Sequence, residues 1–577
     1  MKLYDSKLKS LEGSIWNTCR KDWIFLTLLL LLSSFFVFKN LGNLYLILDE
    51  YDYAVLGKNI LKFGFPTVWD GKNFIGPESH SICYLWGQQV WISFYLIAIS
   101  YLCFGFTPLA TRIPFAVSGL ISVLLLYLLT LRITKSRKTA RVASLLFTLS
   151  VSCLIYMRTG RYMALTFLMS ILCIWFYLDL IEARKGSLWK FTTLLVAYFH
   201  VFYPQMIGFA IGIIVHLFIC ERRNKELRKS LIKSFSITFF LTFPWFALIG
   251  YPCRLKLTET LSGMIGTDYA INPGLLFMAR NIFGFLAQIN TYIFPFALII
   301  VVGGIFFFLR KPFDPRMNRK YVLLLISVVL CTILFMTTSP IPMQNYISGT
   351  LPILFILLAV CFYYLYSYKH VLASVLLVVT ILSNVVNISI WYPVEFILNS
   401  LKKNVSSVQG NPYFARVDTQ VNQSKRVQCL MYNFLSEILT DFNGPQRAIV
   451  QYLLDNGSSN QTVLMAHEAN AITFFTEMKL VKNIPFLKPP DWIIPRGEYK
   501  FKAHSFYSSK RFDCFSQDEY VRNIIKEKKL YRRIMLPIYD PGTENSYEIQ
   551  CHRFSNYRKN DCMQVTLYQF IGEGSKM

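Results

Sequence analysis

The sequence predicts a polytopic α-helical membrane protein of about eleven spans, followed by a C-terminal extracytoplasmic α/β domain. Three observations predict it. Of 577 residues, 54% are hydrophobic and only 16% are charged, where an ordinary soluble domain carries about 25% charged residues. The apolar residues come in runs close to the roughly 20 that a helix needs to cross hydrocarbon. The net charge of +26 gathers in short gaps between those runs: Arg132/Lys135/Arg137/Lys138/Arg141, Arg184/Lys185/Lys190, Arg222/Arg223/Lys225/Arg228/Lys229/Lys233 and Arg310/Lys311/Arg316/Arg319/Lys320. Lys and Arg spaced in that way mark cytoplasmic loops, not a nucleic-acid-binding face. The same composition excludes soluble, disordered, collagen-like and coiled-coil chains, and nucleic acid as a partner.

Residues 1–22 form a basic cytoplasmic N-terminus. The first apolar run lacks a small-x-small cleavage site and reads as an uncleaved first span. Spans are expected near 23–47, 112–131, 140–157, 163–181, 190–203, 205–220, 231–250, 285–309, 321–338, 350–367 and 371–392. The fifth and sixth are short and join tightly around Tyr203-Pro204. Counting those at span ends (Arg141, Lys190 and Lys233 inside, Arg112 outside), Lys plus Arg number 25 on the segments assigned to the cytoplasm and 9 on the outer loops, which orients the chain N-in and C-out across the cell membrane. The first outer loop, 49–111, contains Trp86 and Trp91 and reads as juxtamembrane helices at the interface, where Trp and Tyr favour the headgroup level.

Residues 23–394 make up the transmembrane module, and the composition changes after it. Residues 395–577 hold 24 Lys/Arg and 18 Asp/Glu, ordinary soluble density. Pro445–Gly457 reads as a helix with Pro near its start and Gly just past its end. Thr462–Ala466 reads as a short buried strand, followed by a helix around Ile472–Leu480. Trp492–Ile494, Tyr547–Phe554 and Met563–Phe570 read as further strands. Cys429, Cys514, Cys551 and Cys562 allow up to two disulfides in an oxidising exterior, with three pairings open.

Chemistry concentrates where the first span ends. Asp49, Glu50 and Asp52 emerge there, and ionisable groups beside hydrocarbon are expensive; the bland reading is that they mark where the helix leaves lipid. Arg158 and Arg161, three apart, share a face at a helix end. They can hold a phosphate by bidentate hydrogen bonds or simply snorkel to headgroups. Glu78 and His80 in the first outer loop, with His200 near an outer face, offer donors compatible with a divalent cation, though their spacing does not require one. No other cofactor is implied, and no P-loop occurs.

Asp49-Glu50, then Tyr53-Ala54, Gly57 and Gly64-Phe65-Pro66, directly after the first span, resemble the first outer loop of GT-C glycosyltransferases. The branch is that of protein O-mannosyltransferases and the bacterial lipid A aminoarabinose transferases. Leu102–Phe106 followed by Thr111-Arg112-Ile113-Pro114 is similar to that family's passage before its second span. Arg158-Thr-Gly-Arg161-Tyr162 and the Ala197–Pro204 segment stand at matching places. The resemblance implies a GT-C-like fold and transfer of a sugar from a polyprenyl-phosphate donor to an acceptor at the outer face. It gives Asp49 the general-base role, with Glu50 orienting the acceptor or a cation, and puts Tyr346 where relatives place a donor-binding residue. The sugar and the acceptor stay open. Many relatives carry an Asp just after the arginine region; here Met163 and Ala164 supply no acid, and Asp179 lies at the wrong end of span four. Competing readings are a transporter or flippase, which would place charges near span midplanes, and a non-catalytic assembly protein.

Overall fold

The structure is a computed structural model that describes residues 22–46, 49–75, 81–253, 275–292, 297–310, 318–338, 344–383, 430–439, 444–465, 469–481, 488–495, 530–540 and 563–572. Glu78, His80, the strand expected at Tyr547–Phe554 and the four C-terminal cysteines lie outside the described residues. Six described helical segments are long and apolar enough to cross a membrane: Pro108–Thr134, Met163–Ile181, Ser187–Cys220, Lys225–Cys253, Arg319–Met336 and Gln344–Tyr368. Arg137–Leu149 and Val151–Arg158 make a seventh if counted together across their 64° bend. Trp23–Phe38, Ile92–Phe104 and His370–Leu382 are shorter apolar helices.

Local chemistry explains where these helices start and bend. Pro108–Thr134 opens with Thr107 as N-cap, its hydroxyl accepting from the Ala110 amide at 3.1 Å, with Pro108 in the first turn. Pro114 has no N–H to give to the Ala110 carbonyl four residues back. Ser100 Oγ donates to that carbonyl instead, at 2.6 Å.

Ser187–Cys220 is two helical arms and not one rod. Phe202 has φ −163° and ψ 88°. The Tyr177 ring lies 6.1 Å from Phe191 and 5.7 Å from His216, although a straight helix would hold those two about 37 Å apart. The segment is a helical hairpin that reverses at Phe202, beside the Tyr203-Pro204 step where the sequence predicts a join. Its returning arm packs against Arg319–Met336 almost backbone to backbone. A Cβ on Gly212 would press on the Val328 backbone, and Ser327 Oγ donates to the Gly212 carbonyl at 3.0 Å.

Charged networks tie the helices together at one end of the bundle. Buried Asp22 accepts from Tyr127, Arg137 and Arg141. Arg132 pairs with Asp179 at 2.7 Å and Glu182 at 2.9 Å, and Lys320 with Glu221 at 2.6 Å. The opposite end carries helices Asp49–Phe63 and Ile92–Phe104 and a small hairpin, β1 (Ser81–Ile82) with β2 (Leu85–Trp86).

The C-terminal region docks on that end. Its five-stranded sheet runs β4-β3-β5-β7-β6, with β3 Thr462–Met465, β4 Lys479–Leu480, β5 Trp492–Ile494, β6 Tyr531–Asp540 and β7 Met563–Phe570. β3 is parallel to β4 and β5, and β7 is antiparallel to β5 and β6. Helix Pro445–Asn456 forms as expected, Pro445 in its first turn. The helix expected at Ile472–Leu480 instead spans Asn470–Phe475, because Lys479 and Leu480 pair with Thr462 and Val463. Docking is specific: Tyr51 Oη donates to Gln446 Oε1 at 2.9 Å, the Leu480 amide to Asn73 Oδ1 at 2.7 Å, and Lys72 Nζ to the Glu477 carbonyl at 2.9 Å. Tyr45 stacks on Phe475 with ring centroids 4.5 Å apart.

Candidate active site

The site is built around the chain as it leaves the first helix, Trp23–Phe38. Helix ends leave carbonyls without intrahelical partners, and two arginines take them. Arg158 Nη1 donates to Phe36 O at 3.1 Å and to Val37 O and Lys39 O at 2.8 Å, while Nη2 reaches Asn40 O at 3.3 Å. Arg112 donates to Leu41 O at 2.9 Å, Leu44 O at 2.8 Å and Tyr45 O at 2.9 Å. Irregular backbone is thereby satisfied without water.

Arg112 also grips Glu50 in a bidentate pair, Nε to Oε1 at 3.1 Å and Nη2 to Oε2 at 2.8 Å, and both side chains are buried. Glu50 Oε1 accepts a second hydrogen bond, from the Gly160 amide. A Cβ on Gly160 would come within 2.9 Å of Thr111 Cγ2 and 3.3 Å of Glu50 Oε1, so a larger residue would have to push Thr111 aside for the two segments to meet. Residues 50 and 160 are the chain neighbours of Asp49 and Arg161. Their contact brings Arg161 Nη2 to 2.8 Å from Asp49 Oδ2.

That pair is asymmetric. The Asp49 side chain is 53% exposed and that of Arg161 is 5% exposed. The Arg161 guanidinium lies 5.9 Å from the Tyr53 ring centre and 5.7 Å from that of Tyr162. Tyr162 stacks on Phe202 at 4.3 Å with an interplanar angle of 8°, and Phe202 faces Tyr346 at 6.4 Å. The hairpin turn and the 3₁₀ turn Gln344–Thr350 thus back the arginine. Gln205 pins the two turns together: Nε2 donates to Tyr346 O at 2.8 Å and Ser348 Oγ at 2.9 Å, and Oε1 accepts from the Gly349 amide at 2.9 Å.

Of the residues singled out in the sequence, the structure brings Asp49, Glu50 and Arg161 together, with Tyr346 behind them. Asp52 accepts from Asn470 of the C-terminal region at 2.7 Å. Arg158 sits below, under Phe434 and 4.0 Å from Glu437. His200 is half-buried against Phe199 and Trp245, with ring centres 5.2 and 6.3 Å away. Among the described residues no three His, Cys, Asp or Glu side chains are grouped to hold a metal. Met163 and Ala164 are buried, and Asp179 is held by Arg132 and Arg184 at the far end.

Sequence reasoning passed over Glu437, Asn470 and Gln205 and used Arg112 only as part of a motif. Arg112 beside hydrocarbon was itself a signal, as was Gln205 next to a proline in an apolar run. Glu437 and Asn470 lie in a region of ordinary polarity and carry no such signal.

Fold and site together define a polytopic membrane protein that presents a carboxylate–arginine pair where its first helix ends. Residues 91–247 match the family described as dolichyl-phosphate-mannose-protein mannosyltransferase. The match bears out the glycosyltransferase resemblance and takes in Arg112, Arg158, Arg161 and His200, while Asp49 and Glu50 precede it. Among solved structures, ArnT from Cupriavidus metallidurans in the apo state is 13% identical, with a TM-score of 0.49 over 81% of this chain and 87% of that one. The same protein bound to undecaprenyl phosphate is 15% identical, with a TM-score of 0.46 over 76% and 73%. The Archaeoglobus fulgidus oligosaccharyltransferase in its apo form is 12% identical, with a TM-score of 0.45 over 79% and 63%. No curated protein matches the sequence at a significant level.

Proposed function

We propose that this protein is an integral-membrane glycosyltransferase that moves a sugar from a polyprenyl-phosphate donor to an acceptor hydroxyl at the outer membrane face. The Asp49–Arg161 pair carries the reading: an exposed carboxylate in front of a buried guanidinium. A carboxylate open to solvent can take the acceptor's proton as its oxygen attacks the anomeric carbon. The bond from that carbon to the phosphate oxygen breaks, and the phosphate leaves with the electron pair. A guanidinium fork can bind that phosphate and stabilise its charge.

Asp49 is the base and Arg161 the phosphate ligand. Arg158 makes four carbonyl contacts, so its part is to hold the helix end beside Arg161. Glu50, taken up by Arg112 and Gly160, is a positioning residue. Asp52 and Tyr346 are accessory to the same wall, and Glu78, His80 and His200 stay as accessory candidates by their donor chemistry.

The N-in, C-out topology is part of the proposal, with 1–22 cytoplasmic, 23–394 in the membrane and 395–577 outside. Two features support it: the hairpin offers two arms for the two short spans that a count of eleven includes, and the basic networks gather at the end away from Asp49. Activity of a cytoplasm-specific reporter fused after Met577, with silence of an exterior-specific one, would refute this topology.

The experiment for the function is incubation of the purified protein in nanodiscs with radiolabelled polyprenyl-phosphate sugars and an envelope extract. Label should pass from lipid to acceptor. Label that stays on the lipid with every sugar offered would refute the reading, and lipid-linked label crossing a proteoliposome membrane would favour a flippase.

A further inference from the structure

Among the described ion pairs that contain a buried arginine, Asp49–Arg161 has the most exposed acid. Glu50 opposite Arg112 is fully buried, and Asp179 opposite Arg132 is 6% exposed. The cation is the buried member, its guanidinium close to the Tyr53 and Tyr162 rings, with Phe202 behind Tyr162. The acid can move. Asp49 opens helix Asp49–Phe63 and its carboxylate needs only a side-chain rotation to leave, while Glu50 keeps the backbone beside it in place.

We propose that the pair is a partner-exchange latch: Arg161 holds the Asp49 carboxylate until the phosphate of the donor displaces it. Donor binding then releases the base, so the donor binds before the acceptor is deprotonated. The proposal rests on the reading above that Arg161 is the phosphate ligand. Its physical basis is a competition for one guanidinium. Two anions on one fork repel each other in a partly desolvated site. A phosphate whose oxygens fit the fork makes the stronger, bidentate contact, whereas an ion pair with one member in solvent is cheap to break. No bond is made or broken in the exchange. When the product phosphate leaves, Asp49 returns to Arg161.

The latch makes an inverted prediction: removing the base should tighten phosphate binding. The test is titration of the full chain in nanodiscs with a polyprenyl monophosphate. Measured for wild type, Asp49→Asn, Arg161→Ala and the double variant, it forms a thermodynamic cycle. In the wild-type background Asp49→Asn should strengthen binding about fivefold, the scale of a solvent-accessible ion pair. In the Arg161→Ala background the same change should alter binding far less. Equal tightening in both backgrounds would reduce the effect to plain repulsion and overturn the latch. Unchanged or weaker binding of Asp49→Asn would also overturn it while leaving the functional reading intact. Binding that ignores Arg161→Ala would sink the assignment of Arg161 itself, and the latch with it. If Arg161→Ala does not fold, Arg161→Gln, which keeps most of the side chain and loses the charge and the fork, completes the cycle.

Discussion

Glu50→Gln is the most informative single change outside the reacting pair. The carboxylate is fully buried and receives Arg112 at 3.1 and 2.8 Å, together with the Gly160 amide. Glutamine keeps one acceptor oxygen and turns the other position into a donor that faces the Arg112 guanidinium. The arginine charge is left buried without its counter-ion. Breaking a buried ion pair from one side costs about 3–5 kcal/mol. Arg112 keeps its bonds to the Leu41, Leu44 and Tyr45 carbonyls, which places the loss near the lower end, about 3 kcal/mol. Arg112→Met removes the same pair and also strands those carbonyls, at about 1 kcal/mol each, so it should cost more. The double variant should fall short of the sum by about 2–3 kcal/mol, because the pair can be lost only once. Denaturant unfolding in mixed micelles measures all four proteins, and sugar transfer per folded molecule is read alongside. A Glu50→Gln loss below about 1 kcal/mol, or strict additivity, would refute the buried pair as described. Full stability with abolished transfer would instead put Glu50 in direct contact with substrate.

Two further outcomes follow from the same geometry. Asp49→Asn should lower transfer by about 10²–10⁴-fold, the usual contribution of a general base, with expression unchanged; near-normal turnover in a radiolabel assay would remove Asp49 from that role. Lys58, half-buried with its ammonium 5.3 Å from the Phe106 ring centre, has its pKa pushed below the ordinary lysine value of 10.5, chiefly by burial. Between that lowered value and 10.5 the unfolded chain binds more protons than the folded one, so stability rises with pH there. Thermal unfolding of Lys58→Met should lack that increment of the alkaline rise, and identical pH curves for the two proteins would contradict the burial effect.

The legible parts of the fold were those governed by lipid and by turn chemistry. Long apolar runs separated by basic gaps announce spans because an unsatisfied backbone cannot sit in hydrocarbon. Pro204 announced the hairpin because it cannot donate within a helix. The C-terminal strands were harder. Thr462–Met465 and Trp492–Ile494 are short buried runs and were read, whereas Tyr531–Asp540 carries Arg532, Arg533 and Pro537 and looks unlike a strand. It is an edge strand whose register shifts between Met535 and Tyr539, around the proline, where a missing N–H is tolerated. At the site, sequence spacing grouped Arg158 with Arg161, being three apart on an assumed helix. The helix ends at Arg158, so the two side chains diverge, one to helix carbonyls and one to Asp49. A helix terminus lies below the precision of a periodicity argument.

The first helix has 16 residues and rises about 24 Å, short of the roughly 30 Å of hydrocarbon in a typical bilayer. Ordinarily such a helix would pull polar backbone into oil. Here Arg112 and Arg158 take up the carbonyls from Phe36 to Tyr45, so the chain can abandon helical form before it has cleared the acyl chains. A bilayer can meet such a mismatch by thinning locally. Thinning on that side would bring headgroups down toward Arg161, so that the phosphate of the proposed donor could reach it while its tail stays among its neighbours.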